Sequence, residues 1–98
     1  MATFVTTIRF TPQGIKNSQE TTKRAAAFVA DAKKMGIKVS SQLWTLGRFD
    51  GLMVFEAPDE ETATAAMLQL ASLCNVQTQT ARAFTAAEME KILERKGK

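Results

Sequence analysis

Few side chains in this 98-residue chain could carry out chemistry, and the strongest candidates are two arginines on predicted strands. The chain contains no histidine and no tyrosine, so the commonest general base, metal ligand and axial haem ligand are missing. Arg9 and Arg82 lie on strands that are expected to be neighbours. If both point to one face, their guanidiniums could hold a carboxylate or phosphate through paired hydrogen bonds. The alternative is structural, with each arginine reaching solvent or pairing with Asp50 or Glu56.

Other polar and aromatic residues could complete such a ligand site. Asn17 and Gln13 follow the first predicted strand and could add hydrogen bonds at its rim. Trp44 could belong to the core or line the site with Phe49 and Phe55. The sequence predicts no catalytic residue, no metal ligand set and no cofactor. The candidate ligand-binding set is Arg9, Arg82, Asn17, Trp44, Phe49 and Phe55.

The single cysteine, Cys74, is a candidate nucleophile by residue type alone. It follows the apolar helical segment MLQLASL, and the chain has no histidine to deprotonate its thiol. We therefore expect a buried, small apolar side chain. A lone cysteine forms no intramolecular disulfide. The N-terminal segment lacks the basic start and apolar core of a signal peptide, and no apolar stretch approaches about 18 residues. These features favour a cytoplasmic protein.

The charge pattern does not favour nucleic acid or membrane partners. The formal net charge is +3, and the basic excess is not concentrated in one stripe. Lys33, Lys34 and Lys38 flank a helix end, and Arg95, Lys96 and Lys98 lie at the end of the chain, where such charge is common. RNA-recognition domains share the strand and helix order described below, and they carry stacking aromatics at the third and fifth positions of a third-strand motif. In RFDGLMVF (48–55), Arg48 and Phe55 fit the first and eighth positions of that motif, but the third and fifth positions hold Asp50 and Leu52, neither of which stacks bases.

Hydrophobic periodicity predicts an alternation of strands and helices that positions these residues. Two-residue alternation with β-branched and aromatic side chains predicts strands at 3–10, 37–46, 52–57 and 75–84. Helical spacing predicts a helix from about Ser18 to Gly36, a second after an Asp59 N-cap, and a third after the capping box TAAE. Residues 11–17 are expected to form a loop. The order β-α-β-β-α-β predicts an α+β, ferredoxin-like domain over residues 1–98.

The predicted sheet has apolar side chains on both faces. In the third strand, Leu52 and Val54 alternate with Met53 and Phe55. The helices of such a fold cover one face only, and the other is too apolar to remain in contact with water. A second copy of the chain is the simplest cover, because a two-fold interface uses one patch twice. We therefore expect a homodimer, or a higher homo-oligomer, with a cavity between its two sheets.

The segment GRFDG (47–51) joins the second and third predicted strands and has the composition of a turn. Gly47 and Gly51 permit positive φ, and Asp50 can accept hydrogen bonds from nearby backbone N–H groups. Gly47, Phe49 and Asp50 are the predicted turn motif.

Several segments in order resemble the GYD-domain family of small bacterial proteins, named for a Gly-Tyr-Asp signature. They are FTPQGIKN (10–17), Arg24, GRFD (47–50), EAPDEETA (56–63) and SLCNVQTQTARAFT (72–85). Phe49 stands where the family usually has tyrosine, and Cys74 stands where it usually has glycine. The resemblance implies a dimeric α/β-barrel architecture related to antibiotic-monooxygenase and haem-degrading proteins. It implies no particular activity, since the family is largely uncharacterised.

Three functions follow as hypotheses. The first is a non-catalytic, homodimeric small-ligand-binding or assembly module, whose cavity takes a small anionic or aromatic molecule. The second is a cofactor-independent monooxygenase-like enzyme, as in the related barrel families, for which this chain could offer Asn17, Asn75 and Trp44. The third is a purely structural unit of a larger oligomer.

Overall fold

The computed structural model describes residues 1–97 and has the predicted α+β, ferredoxin-like order of elements. In chain order the elements are β1 (Ala2–Phe10), α1 (Pro12–Lys16), a 3₁₀ turn (Ser18–Glu20), α2 (Thr21–Lys34), β2 (Lys38–Trp44), β3 (Gly51–Ala57), α3 (Glu60–Ser72), β4 (Val76–Ala83) and α4 (Ala86–Lys96). Helix α1 lies in the segment that was predicted to be a loop. It begins because Pro12 occupies the first turn and the Thr11 hydroxyl accepts a hydrogen bond from the Gly14 N–H.

The four strands form one antiparallel sheet in the order β2-β3-β1-β4. Phe4 lies opposite Phe55, and Thr6 lies opposite Met53. Because directly opposed residues point to the same side of a sheet, these four side chains share one face. We call it the helix-covered face, since residues of α2 and α3 pack into the same buried cluster.

The hydrophobic core lies between the helix-covered face and the helices α2 and α3. At its centre the rings of Phe4 and Phe55 stack with centroids 5.4 Å apart. The hydroxyl of the buried Thr6 is satisfied, because it donates to the Gln79 carbonyl (3.1 Å) and accepts from the Thr80 hydroxyl (2.9 Å). The buried apolar residues are Phe4, Phe28, Ala32, Ile37, Met53, Phe55, Ala57, Ala63, Ala66 and Met67.

The helix ends confirm the predicted capping residues. Asp59 accepts a hydrogen bond from the Thr62 N–H (2.7 Å) at the start of α3, and hydrogen bonds from the hydroxyl and backbone of Thr62 hold the pKa of Asp59 below its usual value. At α4, Thr85 and Glu88 form the complete capping box. Gly36 has a φ of 82° just beyond α2, as expected for a residue that ends a helix.

The opposite face of the sheet, which we call the open face, has no helix over it. Its central side chains are Val5 and Val54, which lie opposite each other, and the cross-strand pair Leu43 and Leu52. Leu43 is 58% exposed. The structure thus confirms that both sheet faces carry large apolar groups. None of the helices within residues 1–97 is long and apolar enough to cross a membrane.

Candidate functional site

The structure places Arg9 and Arg82 on opposite faces of the sheet. Arg82 lies opposite Phe4 and therefore points to the helix-covered side, where its guanidinium carbon lies 5.5 Å from the Phe4 ring centroid and 4.7 Å from that of Phe84. Its Nη1 donates to the Thr3 carbonyl at 3.0 Å. Arg9 is exposed on the open face. The two guanidiniums are not brought together, so they cannot share one ligand within a protomer.

The three aromatic candidates also lie apart. Phe55 is completely buried in the core, which corrects its predicted place on the wall of a cavity between two sheets. Trp44 lies on the helix-covered side with its ring partly exposed, and its indole N–H donates to the Thr21 hydroxyl (3.1 Å). Phe49 is half-buried, and its carbonyl accepts from the Thr45 hydroxyl (2.6 Å). Strand alternation predicted two faces but could not show which one the helices cover.

The segment GRFDG anchors the end of β1 through Asp50. The Asp50 N–H donates to the Ile8 carbonyl, and its carboxylate accepts from the Phe10 N–H, both at 2.8 Å. Its carbonyl accepts from the Thr45 N–H at 2.9 Å. Gly47 has the predicted positive φ, at 129°. Gly51 does not, because it is the first residue of β3 and takes part in the sheet.

The loop candidates Gln13 and Asn17 hold neighbouring segments together. The Gln13 amide donates to the Leu73 carbonyl (3.1 Å) and to the Asn75 side-chain oxygen (3.2 Å), which ties α1 to the connection between α3 and β4. Asn17 is exposed, and its backbone carbonyl accepts from Nη1 of Arg24 at 2.6 Å. These hydrogen bonds give the Gln13 side chain a structural role, whereas Asn17 takes part through its backbone.

Cys74 is exposed, which corrects the predicted buried position. Its φ is 66°, and within residues 1–97 it is the only non-glycine residue with a positive φ. The backbone turns sharply after α3 ends, and this turn takes Cys74 out of the helical stripe that suggested burial. A left-handed backbone favours glycine, so the conformation matches the glycine expected here from the family resemblance.

Cys74→Gly is therefore expected to stabilise the protein by about 0.5 kcal/mol. The left-handed conformation costs a non-glycine residue about 1–2 kcal/mol, and part of this gain is lost to the greater freedom of glycine in the unfolded chain. Urea unfolding measures the difference. The matched variant Cys74→Ala removes the same thiol but keeps a Cβ, so it should bring no gain. A glycine variant less stable than the alanine variant would contradict this assignment.

The structure contains a cavity that sequence reasoning did not identify. It has a volume of about 170 Å³ and lies between α2, the end of α3 and the helix-covered face. Trp44 and Asn75 line it, while Arg9, Arg82 and Asn17 do not. Arg24 lines the cavity as well. The four-residue spacing from Arg24 to Phe28 could have indicated from the sequence that Arg24 lies on the same side of α2 as the core. That spacing places a cation on the apolar side of a helix.

Comparison with known proteins gives three similarities. The sequence profile described as GYD domain matches residues 4–93. A relative from Thermus thermophilus is 31% identical over 90 residues, which are 91% of this chain and 95% of the relative. It is named "Glutamine synthetase and cystathionine beta-lyase binding protein". A homoserine dehydrogenase from Thiobacillus denitrificans matches 83% of this chain with a TM-score of 0.50 and 15% identity. The match spans only 17% of that enzyme, and it supports the fold alone.

Proposed function

The chain belongs to the GYD-domain family, and we propose that it is a non-catalytic binding protein that pairs with a second copy and associates with a partner enzyme. The observation that carries the proposal is the apolar open face. Val5, Val54, Leu43 and Leu52 lie together at its centre, with no element of residues 1–97 packed on them. A contiguous apolar patch of this kind is typical of a protein interface.

A second copy is the occupant that we propose for the open face. A chain of 98 residues buries a modest share of its surface by itself, so an added interface contributes substantially to its stability. A two-fold axis in the plane of the interface would bring the same four apolar side chains of each copy together. The two sheets would then pack face to face, as in the barrel architecture that the family resemblance implies.

Helix α4 presents a second apolar surface. None of its residues is buried, and Met89 and Leu93 lie one turn apart with about half of each side chain exposed. This spacing forms an apolar stripe on an otherwise charged helix. The stripe also favours association of the chain with another protein surface.

The proposed partner class comes from the relative. That protein is named for binding glutamine synthetase and cystathionine β-lyase, and its similarity extends along nearly all of both chains. We propose that the present protein also binds an enzyme such as glutamine synthetase or cystathionine β-lyase. The dimer would bind such an enzyme through its outer surface and would carry out no reaction of its own.

Sedimentation velocity over a dilution series tests the first part of the proposal. We expect a species of twice the 10.7 kDa chain mass, and a stable monomer at all concentrations would contradict the homodimer. The second part is tested by cosedimentation with glutamine synthetase and with cystathionine β-lyase from the same organism. A shared boundary with either enzyme is expected, and separate boundaries with both would refute the enzyme-binding role.

A further inference from the structure

Arg24 lines the cavity beside α2, and its guanidinium group has an unused hydrogen-bond donor. Nη1 of Arg24 donates to the Asn17 carbonyl, but Nη2 is buried and has no hydrogen-bond partner within residues 1–97. No described carboxylate forms a salt bridge with this side chain. A buried charged donor without a partner is costly, because it has lost its hydration and gained nothing in return. An anion in the cavity would remove that cost.

The size and walls of the cavity indicate what else the ligand must be. Its volume of about 170 Å³ is close to the roughly 150 Å³ of an apolar protein cavity that holds benzene. Phe28, Met53 and Leu70 are among the apolar side chains that line it. A ligand that fills this space therefore needs a compact apolar body as well as its anionic group.

The carboxylates around the cavity disfavour a ligand with two negative charges. Asp31 and Asp50 line the same cavity as Arg24, and the Asp50 carboxylate already accepts the Phe10 N–H. These two carboxylates outnumber the one guanidinium, so a dianion such as inorganic phosphate would be repelled more strongly than a monoanion. A monocarboxylate meets about half of this repulsion and can accept hydrogen bonds from the guanidinium of Arg24.

We propose that this cavity is a binding site for a small monocarboxylate with an apolar body of about the size of a benzene ring, held by the guanidinium of Arg24. The site lies on the helix-covered side of the sheet, away from the open face. It therefore does not depend on the proposed homodimer, and a monomeric variant should retain it.

Titration with 3-phenylpropionate tests the proposal with two internal reporters. Trp44, the only tryptophan in the chain, lines the cavity and reports through its fluorescence. In protein with ¹³C-labelled methionine methyl groups, the resonance of Met53 should shift while that of the exposed Met1 stays unchanged. The neutral amide of the same acid should bind at least tenfold more weakly, and inorganic phosphate should not bind, because the carboxylate carries the recognition.

Variants separate the proposed site from other modes of binding. Arg24→Gln should weaken binding of 3-phenylpropionate by about tenfold to hundredfold, and the matched charge removal Arg9→Gln on the open face should leave it unchanged. Ala25→Leu should block the cavity with Arg24 in place, which tests the site even if Arg24→Gln fails to fold. The proposal is overturned by equal binding of acid and amide, by unchanged binding to Arg24→Gln, or by no saturable signal up to about 10 mM acid.

Discussion

Val54→Lys is expected to convert the proposed dimer into a monomer. Val54 lies at the centre of the open face, opposite Val5, so in the proposed dimer each copy would bury a lysine ammonium without a partner. Such a buried, unpaired charge costs about 3–5 kcal/mol, and the two-fold axis introduces it twice. We expect the dissociation constant to rise by at least about a hundredfold, measured by sedimentation equilibrium across a concentration series.

The control for this prediction is Leu68→Lys. Leu68 lies on α3, on the opposite side of the molecule from the open face, and is 66% exposed. A lysine there also replaces an apolar side chain but remains hydrated, so the dimer should persist. Loss of the dimer in both variants, or in neither, would place the interface somewhere other than the open face. A fold check by circular dichroism separates dissociation from unfolding.

Gly14→Ala is expected to destabilise the protein by about 3 kcal/mol. A Cβ atom on Gly14 would overlap the backbone carbonyl of Asn75. That carbonyl cannot easily move, because it accepts the Thr11 N–H at 3.1 Å. The added methyl group must therefore separate α1 from the connection between α3 and β4. Equilibrium unfolding in urea measures the loss as a lower midpoint at a constant denaturant slope.

The adjacent variant Ile15→Ala is the control for Gly14→Ala. Ile15 lies in the same short helix and is largely exposed, so its truncation should change the free energy of unfolding by no more than about 0.5 kcal/mol. If Gly14→Ala were equally mild, the close contact between α1 and Asn75 would be absent in solution. A larger effect at Ile15 would instead indicate that its side chain is covered by another copy of the chain.

The sequence by itself determined the order and type of the main elements. Alternation predicted all four strands to within a few residues, because the two-residue period of a strand is a local property. The caps Asp59 and Thr85 were also predictable, since each bonds a backbone N–H only three residues away. The alternating apolar residues of β3 were sufficient to indicate that the sheet has a second apolar face, which its own helices do not cover.

The tertiary structure alone decided which residues share a site. Arg9 and Arg82 looked like partners on adjacent strands, but the register of β1 against β4 places Arg82 opposite Phe4. A shift by one residue would reverse the face of every side chain on a strand, and the register depends on contacts between distant segments. The exposed, left-handed Cys74 likewise depends on how α3 meets β4.

The cavity beside Arg24 depends on the same kind of long-range packing. Its walls come from α2, α3 and all four strands, so no local pattern in the sequence could show that they meet around one space beside Arg24. Hydrophobic periodicity in the sequence shows only which side of its own strand or helix a residue lies on. The space that several elements leave between them is set only when they pack together.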